Sequence, residues 1–549
     1  MRPVQHGRRT VPTLTALLDH LTEERGDAVV AFPERGVRVT QAEIPAKAWG
    51  VAAELLRAGV TEDSVVGVLV GTEPGFFPAV FGVWAAGGAI SVLPVPPMPA
   101  PAEHLAAALA PAVRELGHLI VADAQLAVAE ELHRRQPELK IIRLGDCAEG
   151  TRMEPIARPE SAAIVQFTSG STARPKGVVL SHAAVLACFA ATAESSTVGP
   201  DDVVVSWVPL FHDFGLITLL FGMWQGYEMH LFSAWHFVRR PRQVLEYISE
   251  VGGTVFGGPN FAYDRIADVP RSGPLDGLDL SSWRLALNGG EPVKPATAER
   301  FTLALAPAGV RETAMLPVYG MAEATMSVAC PQPGRPVKAV WFDRDSLAGK
   351  REAIRVADGA QHGTGLVSVG RPVPGLSLRL VGDGGLDVAE GAVGEIVVRG
   401  PSLSSGYLRD PEATAAAFRD GWLHTGDLGV RVDGELYVAG RRKDMIIVAG
   451  RNFFAEDVED VVRKGLQDGR GRCVAFADHD RERIIIAVET QDMAKATDVS
   501  IQVRKLVSAT LDLGAIDVHA VPRNALPRTT SGKWQRALTA RHFRNLTNA

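Results

Sequence analysis

Cysteine is scarce in this chain: four in 549 residues, at positions 147, 188, 330 and 473, with no C-x-x-C pair. That spacing argues against a zinc site or a redox dithiol and suits a reducing cytosol. Neither sign of charge is in excess, since 57 Lys and Arg face 63 Asp and Glu for a net charge of −6. Nothing electrostatic therefore points to nucleic acid or an anionic membrane as partner. No apolar segment follows the basic residues of positions 1–10, so no signal peptide is expected. Residues 74–102 carry no charge and are long enough to span a bilayer. Pro78, Gly82, Gly87, Gly88, Pro94, Pro96 and Pro97 would break such a helix repeatedly. A helix, a Gly-Gly turn and a buried strand at 89–93 is the better reading, and a cytoplasmic protein without a membrane span is expected. Lysine is scarce too, at 11 of the 57 basic residues, so a Lys inside a polar motif is less readily surface filler. No Lys is followed by Ser or Thr, and G-x-G-x-x-G and G-x-S-x-G are missing. Those absences count against a Walker-type phosphate loop, a dinucleotide oxidoreductase and a serine hydrolase.

What is present is an ordinary globular composition, 46% hydrophobic and 22% charged, in a length that allows about two to four domains. Short β-branched runs at 65–70, 89–93, 118–122, 162–167, 203–209 and 228–231 alternate with helical segments such as 48–57 and 102–116. Buried strands joined by helical crossovers predict parallel sheets with helices on both faces. From about 376 the texture changes to alternating strands and tight turns, which predicts a β-rich subdomain over 376–440. The charge cluster Arg441-Arg442-Lys443-Asp444 precedes a compact α+β unit: a helix at 455–466, a strand pair at 473–477 and 483–489, and a helix at 501–511. A domain boundary is expected near Gly440, dividing the chain into 1–440 and 441–549.

The sharpest local signal is Gln166-Phe167-Thr168-Ser169-Gly170-Ser171-Thr172-Ala173-Arg174-Pro175-Lys176-Gly177. An apolar strand enters a loop of small hydroxyl residues and Gly, and a second apolar strand leaves it. Small side chains let backbone N–H groups and hydroxyls wrap a polyphosphate, and Lys176 adds charge. A generic Gly/Ser loop of this kind is more often a surface turn, but twelve residues in definite order reverse that balance.

The loop resembles the phosphate-binding signature of the adenylate-forming superfamily, which includes acyl-CoA synthetases, peptide-synthetase adenylation domains, luciferases and fatty acyl-AMP ligases. Further signatures follow in the family's order: Asn288-Gly289-Gly290-Glu291-Pro292-Val293, Val318-Tyr319-Gly320-Met321-Ala322-Glu323-Ala324-Thr325, and His424-Thr425-Gly426-Asp427. Gly440-Arg441-Arg442-Lys443-Asp444, Gly450-Arg451-Asn452 and 527–533, ending in Ser531-Gly532-Lys533, complete the set. The resemblance implies a large N-terminal α/β domain of two stacked parallel-type sheets and a small mobile α+β C-terminal domain. It implies ATP and Mg²⁺ as cofactors, with Glu323 as metal ligand and Lys533 as the catalytic cation. Thr168, Ser169, Gly170, Ser171, Thr172 and Lys176 would hold phosphate. Tyr319 and the backbone of Gly290, Glu291 and Pro292 would meet the adenine, and Gly320, Met321 and Ala322 would belong to the same nucleotide site. Asp427 would hold the ribose, Arg441 ribose or phosphate, and Lys443 would be the hinge. Taken alone, Lys533 reads as a solvated loop lysine, Asp427 as a turn former and Tyr319 as a core residue. The chemistry explains why these residue types are needed. A carboxylate is a poor electrophile, and joining it to the α-phosphate brings two anions together, so the site must supply positive charge and exclude water.

Several details resemble the fatty acyl-AMP ligase branch, which hands its acyl group to the phosphopantetheine thiol of an acyl carrier protein. These are Phe211-His212-Asp213-Phe214-Gly215-Leu216 and Gly257-Gly258-Pro259-Asn260-Phe261-Ala262-Tyr263. The resemblance assigns His212, Phe214, Gly258 and Asn260 to an acyl pocket. About forty residues separate Ala329 from Val369, similar to the insertion thought to restrict domain rotation in that branch. Ala455 departs from the family's usual Pro, and Phe214 from its Met. The expected activity is therefore conversion of a fatty or related carboxylic acid to acyl-AMP, then transfer to a carrier protein in lipid, polyketide or nonribosomal peptide synthesis. The alternatives are an acyl-CoA ligase of the same fold, a non-catalytic binding relative, and a luciferase-like oxygenase for which no residue speaks.

Overall fold

The structure is a computed structural model that describes residues 11–23, 26–95, 100–168, 175–448, 450–466, 472–478, 481–528 and 534–547. Two seven-stranded sheets are built from the strands between Val29 and Pro317 together with Gly406–Tyr407. In one, the strands run Met315–Pro317, Leu285–Asn288, Val255–Gly258, Val203–Ser206, Glu228–Leu231, Val29–Phe32, Val37–Thr40. Every neighbouring pair there is parallel except the last. In the other they run Gly406–Tyr407, Lys176–Ser181, Ala162–Thr168, Ala89–Val92, Val65–Leu69, His118–Val121, Lys140–Arg143. It is antiparallel only where Lys176–Ser181 meets its two neighbours.

The alternation of side chains along a strand sorts these sheets into layers. Val66 and Val68 join Val30, Val204, Met229 and Leu285 in one core between the two sheets. Val65 and Leu69 face outward onto the helices Ala102–Val113 and Leu126–Arg135, and Val205 faces a separate cluster around Phe256, Trp283 and Phe301. The uncharged stretch noted in the sequence lies in the shared layer: every residue of helix Phe76–Ala85 is buried. A helix buried all round, here against helix Ile44–Arg57 as well as sheet residues, has no polar face to show. Among the described residues no helix is long and apolar enough to cross a membrane.

Residues 376–440 form a five-stranded antiparallel sheet of Ser377–Val381, Val393–Arg399, Phe418–Arg419, Trp422–Val432 and Glu435–Arg441. From Met445 onward a further core, from Ile446 to Val518, draws on no earlier residue. Its sheet has three strands in place of the expected pair: Ile516–Pro522 lies parallel to Arg483–Thr490. The helix expected at 501–511 begins earlier, at Ala496. The strand expected at 203–209 stops at Ser206, where Trp207 turns its indole N–H to the Gly257 carbonyl at 3.0 Å.

Residues 339–367, within the connection singled out in the sequence, form a hairpin of Ala339–Asp343 and Gly363–Val367 that lies against the C-terminal unit. Thr364 Oγ1 donates to Asp457 Oδ1 at 2.7 Å, and Arg451 pairs with Asp345 at 3.0 Å. Asn452 Nδ2 donates to the Ala348 carbonyl, and the Lys464 ammonium lies over the Trp341 ring. Outside the hairpin, Lys294 Nζ reaches Asp460 at 2.8 Å. Burial pushes the Asp457 carboxyl up from 3.8 to about 6, against the pull of Arg344 and Thr364 and with help from Asp460 and Glu456. A carboxyl raised by folding favours the folded state in its neutral form. The cost of ionising it is absent below the unfolded value near 3.8 and complete above about 6. Asp457→Asn should therefore raise Tm relative to wild type increasingly between about pH 4 and pH 6, then level off, with a limiting gain on the order of 1–3 kcal/mol. Melting curves across that range check it, and a pH-independent difference would refute it.

Candidate active site

Three parallel strands of the first sheet end side by side, with Gly258 opposite Asn288 and Asn288 opposite Pro317. The carboxyl edge of such a sheet is where α/β proteins bind ligands. Here it carries the loops that begin at 259, 289 and 318. Those loops are pressed together, because a Cβ on Gly289 would come within 2.6 Å of the Val318 side chain. Asn260 ties them further: its amide donates to the Pro292 carbonyl at 2.8 Å and accepts from Lys294 N and Asn288 Nδ2. Asn260, expected in the acyl pocket, is thus a structural clasp for the loop of Gly290, Glu291 and Pro292. Gly290 turns that loop with φ of 82°.

After Pro317 the chain makes a short hairpin, Tyr319–Gly320 against Ser327–Cys330, around a turn at Ala322–Ala324. A Cβ at Gly320 would lie 1.7 Å from the Met326 carbonyl oxygen, so only glycine fits. Met321 and Ala322 are buried beneath the turn. Thr325 is held at φ 66° and ψ −56°, a costly conformation for a β-branched residue. It is fully buried, and its hydroxyl donates to the Ser402 carbonyl at 2.7 Å. The Glu323 carbonyl accepts from Ser404 N, and Glu323 Oε1 accepts from the Tyr407 hydroxyl at 2.9 Å.

Asp427 lies in strand Trp422–Val432 opposite Arg441. Its buried carboxylate accepts from the Tyr319 hydroxyl on Oδ2 at 2.7 Å and pairs with the Arg441 guanidinium, Nε lying 2.8 Å from Oδ1. Burial pushes the Asp427 carboxyl up, and Arg441 and Tyr319 pull it back. Burial also keeps the Tyr319 phenol protonated and donating. A carboxylate has about four acceptor positions, so two remain for a ligand. The segment is braced from below: Glu395 accepts from Gly426 N and contacts His424, and Thr425 Oγ1 donates to the Ile396 carbonyl. Lys443 is exposed just past this strand. Burial of its ammonium end, with the Arg441 charge, lowers its pKa.

The stems of the phosphate-loop hairpin are described up to Thr168 and from Pro175, with Thr168 opposite Lys176. The Lys176 ammonium sits 4.8 Å from the centroid of the Tyr407 ring. Ser169, Gly170, Ser171, Thr172 and Lys533 lie outside the described residues. On the two sides of the Lys533 segment, Arg528 stacks over Trp534 at 3.7 Å and the two form a backbone bridge. His212 precedes helix Asp213–Gln225, and the carbonyl of neighbouring Phe211 accepts from Gln166 of the phosphate-loop strand at 2.7 Å. Phe214 lies over Gly257, where an added Cβ would be 2.8 Å from its ring, and Trp207 lies over Gly258 in the same way. Those aromatic rings meet the glycine end of strand Val255–Gly258. Tyr407 and Glu395 escaped the sequence reading. Their roles depend on contacts with residues 84 and 29 positions away in the chain, for which the sequence carries no local signal.

Comparison with known proteins places this geometry among relatives. A family described as AMP-binding enzyme matches residues 18–408. A long-chain-fatty-acid–AMP ligase, FadD26 of Mycobacterium marinum, is 32% identical over 92% of this chain and 91% of its own. A medium-chain-fatty-acid–[acyl-carrier-protein] ligase, JamA of Moorena producens, is 34% identical over 70% of this chain and 68% of its own. A solved structure from work on fatty acyl-adenylate ligases of E. coli and L. pneumophila superposes with a TM-score of 0.91. It covers 98% of this chain and 99% of its own at 28% identity.

Gly320→Ala should force the 319–327 hairpin apart and displace both Tyr319 and Glu323. The expected loss is about 2 kcal/mol or more of stability together with weakened nucleotide binding. Thermal melts and AMP titration check it, and an unchanged Tm would refute the close approach.

Proposed function

The chain belongs to the AMP-binding enzyme family, and from that premise we propose that it activates a fatty or related carboxylic acid with ATP. In this reading it forms acyl-AMP and pyrophosphate, then passes the acyl group to the phosphopantetheine thiol of an acyl carrier protein. The observation that carries the reading is the doubly held Asp427 carboxylate beside Tyr319 and Arg441. It stands in the same small region as the Gly290–Pro292 loop and Glu323, and the relatives named above form acyl adenylates.

Each residue then has a physical task. Asp427 accepts from the two ribose hydroxyls with its remaining acceptor positions. Backbone groups of Gly290, Glu291 and Pro292 line the adenine edge, and Tyr319, fixed by its own hydroxyl, offers its ring. Gly320, Met321 and Ala322 shape the pocket floor. Thr168, Ser169, Gly170, Ser171, Thr172 and Lys176 bind the β- and γ-phosphates. Lys533 neutralises charge where carboxylate and α-phosphate meet, and Lys443 is the hinge of a division near Gly440. Phe214, Gly258 and His212 border the acyl chain. Among the described residues there is no group of three or more His, Cys, Asp or Glu placed to hold a metal ion. A metal here would have the single hard carboxylate of Glu323 together with substrate phosphates, which suits Mg²⁺. When bound, it would offset phosphate charge and favour departure of pyrophosphate.

The choice of carrier protein over CoA rests on the hairpin at 339–367. Its bonds to Asp457, Arg451 and Asn452 oppose a rotation of the C-terminal unit, and a bias of a few kcal/mol makes one state rare. A cytoplasmic location follows from where ATP and carrier protein are found together.

Pyrophosphate release over a panel of carboxylic acids, with CoA or a carrier protein as acceptor, tests the whole reading. Fatty-acid-dependent release with thioester formed on the carrier protein is expected, and efficient acyl-CoA synthesis would favour the CoA ligase instead. In the same assay Lys533→Ala should lower kcat about 10²–10³-fold, on the scale of losing one electrostatic donor to a transition state. Near wild-type release would overturn its role. Asp427→Asn should raise the ATP KM about tenfold or more, since a charged acceptor is lost. Unchanged ATP kinetics would remove the ribose from this position.

A further inference from the structure

The segment from Ser402 to Leu408 joins the two parts of the site that handle phosphate charge. On one side it holds the Glu323 turn, through Thr325 Oγ1 to the Ser402 carbonyl and Ser404 N to the Glu323 carbonyl. On the other it adds a strand, Gly406–Tyr407, to the strand that leaves the phosphate loop, with Tyr407 opposite Val178. Ser405 N and Leu408 N donate to the carbonyls of Val179 and Gly177 and complete that seam. Tyr407 alone among these residues touches both functional side chains. Its hydroxyl donates to Glu323 Oε1 at 2.9 Å, and its ring lies 4.8 Å from the Lys176 ammonium.

We propose that Tyr407 is a positioning residue for metal-bound nucleotide: it fixes the Glu323 carboxylate and the Lys176 ammonium at one separation. The proposal rests on the reading of Glu323 as the magnesium carboxylate. Glu323 sits on a short turn and is only half-buried, so its side chain has rotamers to lose. Pinning Oε1 leaves Oε2 as the oxygen without a hydrogen bond from a described residue. The ring face attracts the ammonium without a hydrogen bond, which leaves the Lys176 donors for phosphate oxygens. Tyr407 itself is set by its N–H to Thr414 Oγ1 at 2.9 Å and needs no ligand to take this place.

The test separates metal-dependent from metal-independent binding. Calorimetric titration of wild type with ATP and Mg²⁺, with ATP in EDTA, and with AMP in EDTA sets the reference. Tyr407→Phe keeps the ring over Lys176 and removes only the hydroxyl. It should weaken ATP–Mg²⁺ binding about tenfold, raise the Mg²⁺ concentration for half-maximal pyrophosphate release similarly, and leave AMP affinity unchanged. In a Glu323→Gln background the same substitution should change ATP–Mg²⁺ binding less than threefold, since the two residues act through one contact. Equal loss of AMP and ATP–Mg²⁺ affinity would mean a merely structural strand residue and overturn the proposal. Unaltered or tighter ATP–Mg²⁺ binding in Tyr407→Phe would overturn it too. If wild type shows no tightening of ATP by Mg²⁺, the assignment of Glu323 fails first and the proposal with it.

Discussion

Burial of one apolar layer between two sheets sets the frame on which the site is hung. Helix Phe76–Ala85 and the inward residues of both sheets, among them Val66, Ile90, Val204 and Met229, share that layer. Because the layer is common, neither sheet can slide without exposing the other, and dense packing makes the relative position discrete. The strand ends of one sheet at 258, 288 and 317 therefore stand at a fixed place relative to the phosphate-loop hairpin in the other. Gln166, in that hairpin, reaches the carbonyl of Phe211 across the gap. The site is a seam between sheets, so its geometry inherits the rigidity of the core beneath it.

Charge is handled in this seam by pairing buried acids with donors from distant segments. Asp427 would be expensive to ionise alone in its buried position, and Tyr319 and Arg441 offset that cost from two different strands. The arrangement leaves acceptor capacity unused, as a ligand-binding carboxylate requires. Asp457, where the hairpin meets the C-terminal unit, is a second buried acid of this kind. It has one hydroxyl donor and an Arg344 charge nearby, and its carboxyl stays well above the usual range. Burial raises both carboxyls, and in each a nearby positive charge and a hydroxyl donor pull back toward the ionised form. Strain is placed with the same economy: Thr325 keeps an unfavourable backbone only because the 402–408 segment grips it from outside the turn.

The sequence alone determined the class of fold, the order of motifs and the residue types the chemistry needs. Periodicity located most strands, since a strand buried on both faces must be continuously apolar. Glycines marked turns that only they can make, Gly320 and Gly290 among them. The uncharged stretch at 74–102 was legible as a buried helix and strand because prolines and glycines interrupt it. Contacts between segments far apart in the chain were not legible. Asn260 clasps the 290–294 loop, Tyr407 meets Glu323, and Ile516–Pro522 adds a parallel strand to the last sheet. The physical reason is that local sequence fixes backbone preference and which side chains must be buried. Which polar partner satisfies a given buried group depends on distances across the assembled core, and only the tertiary structure decided those.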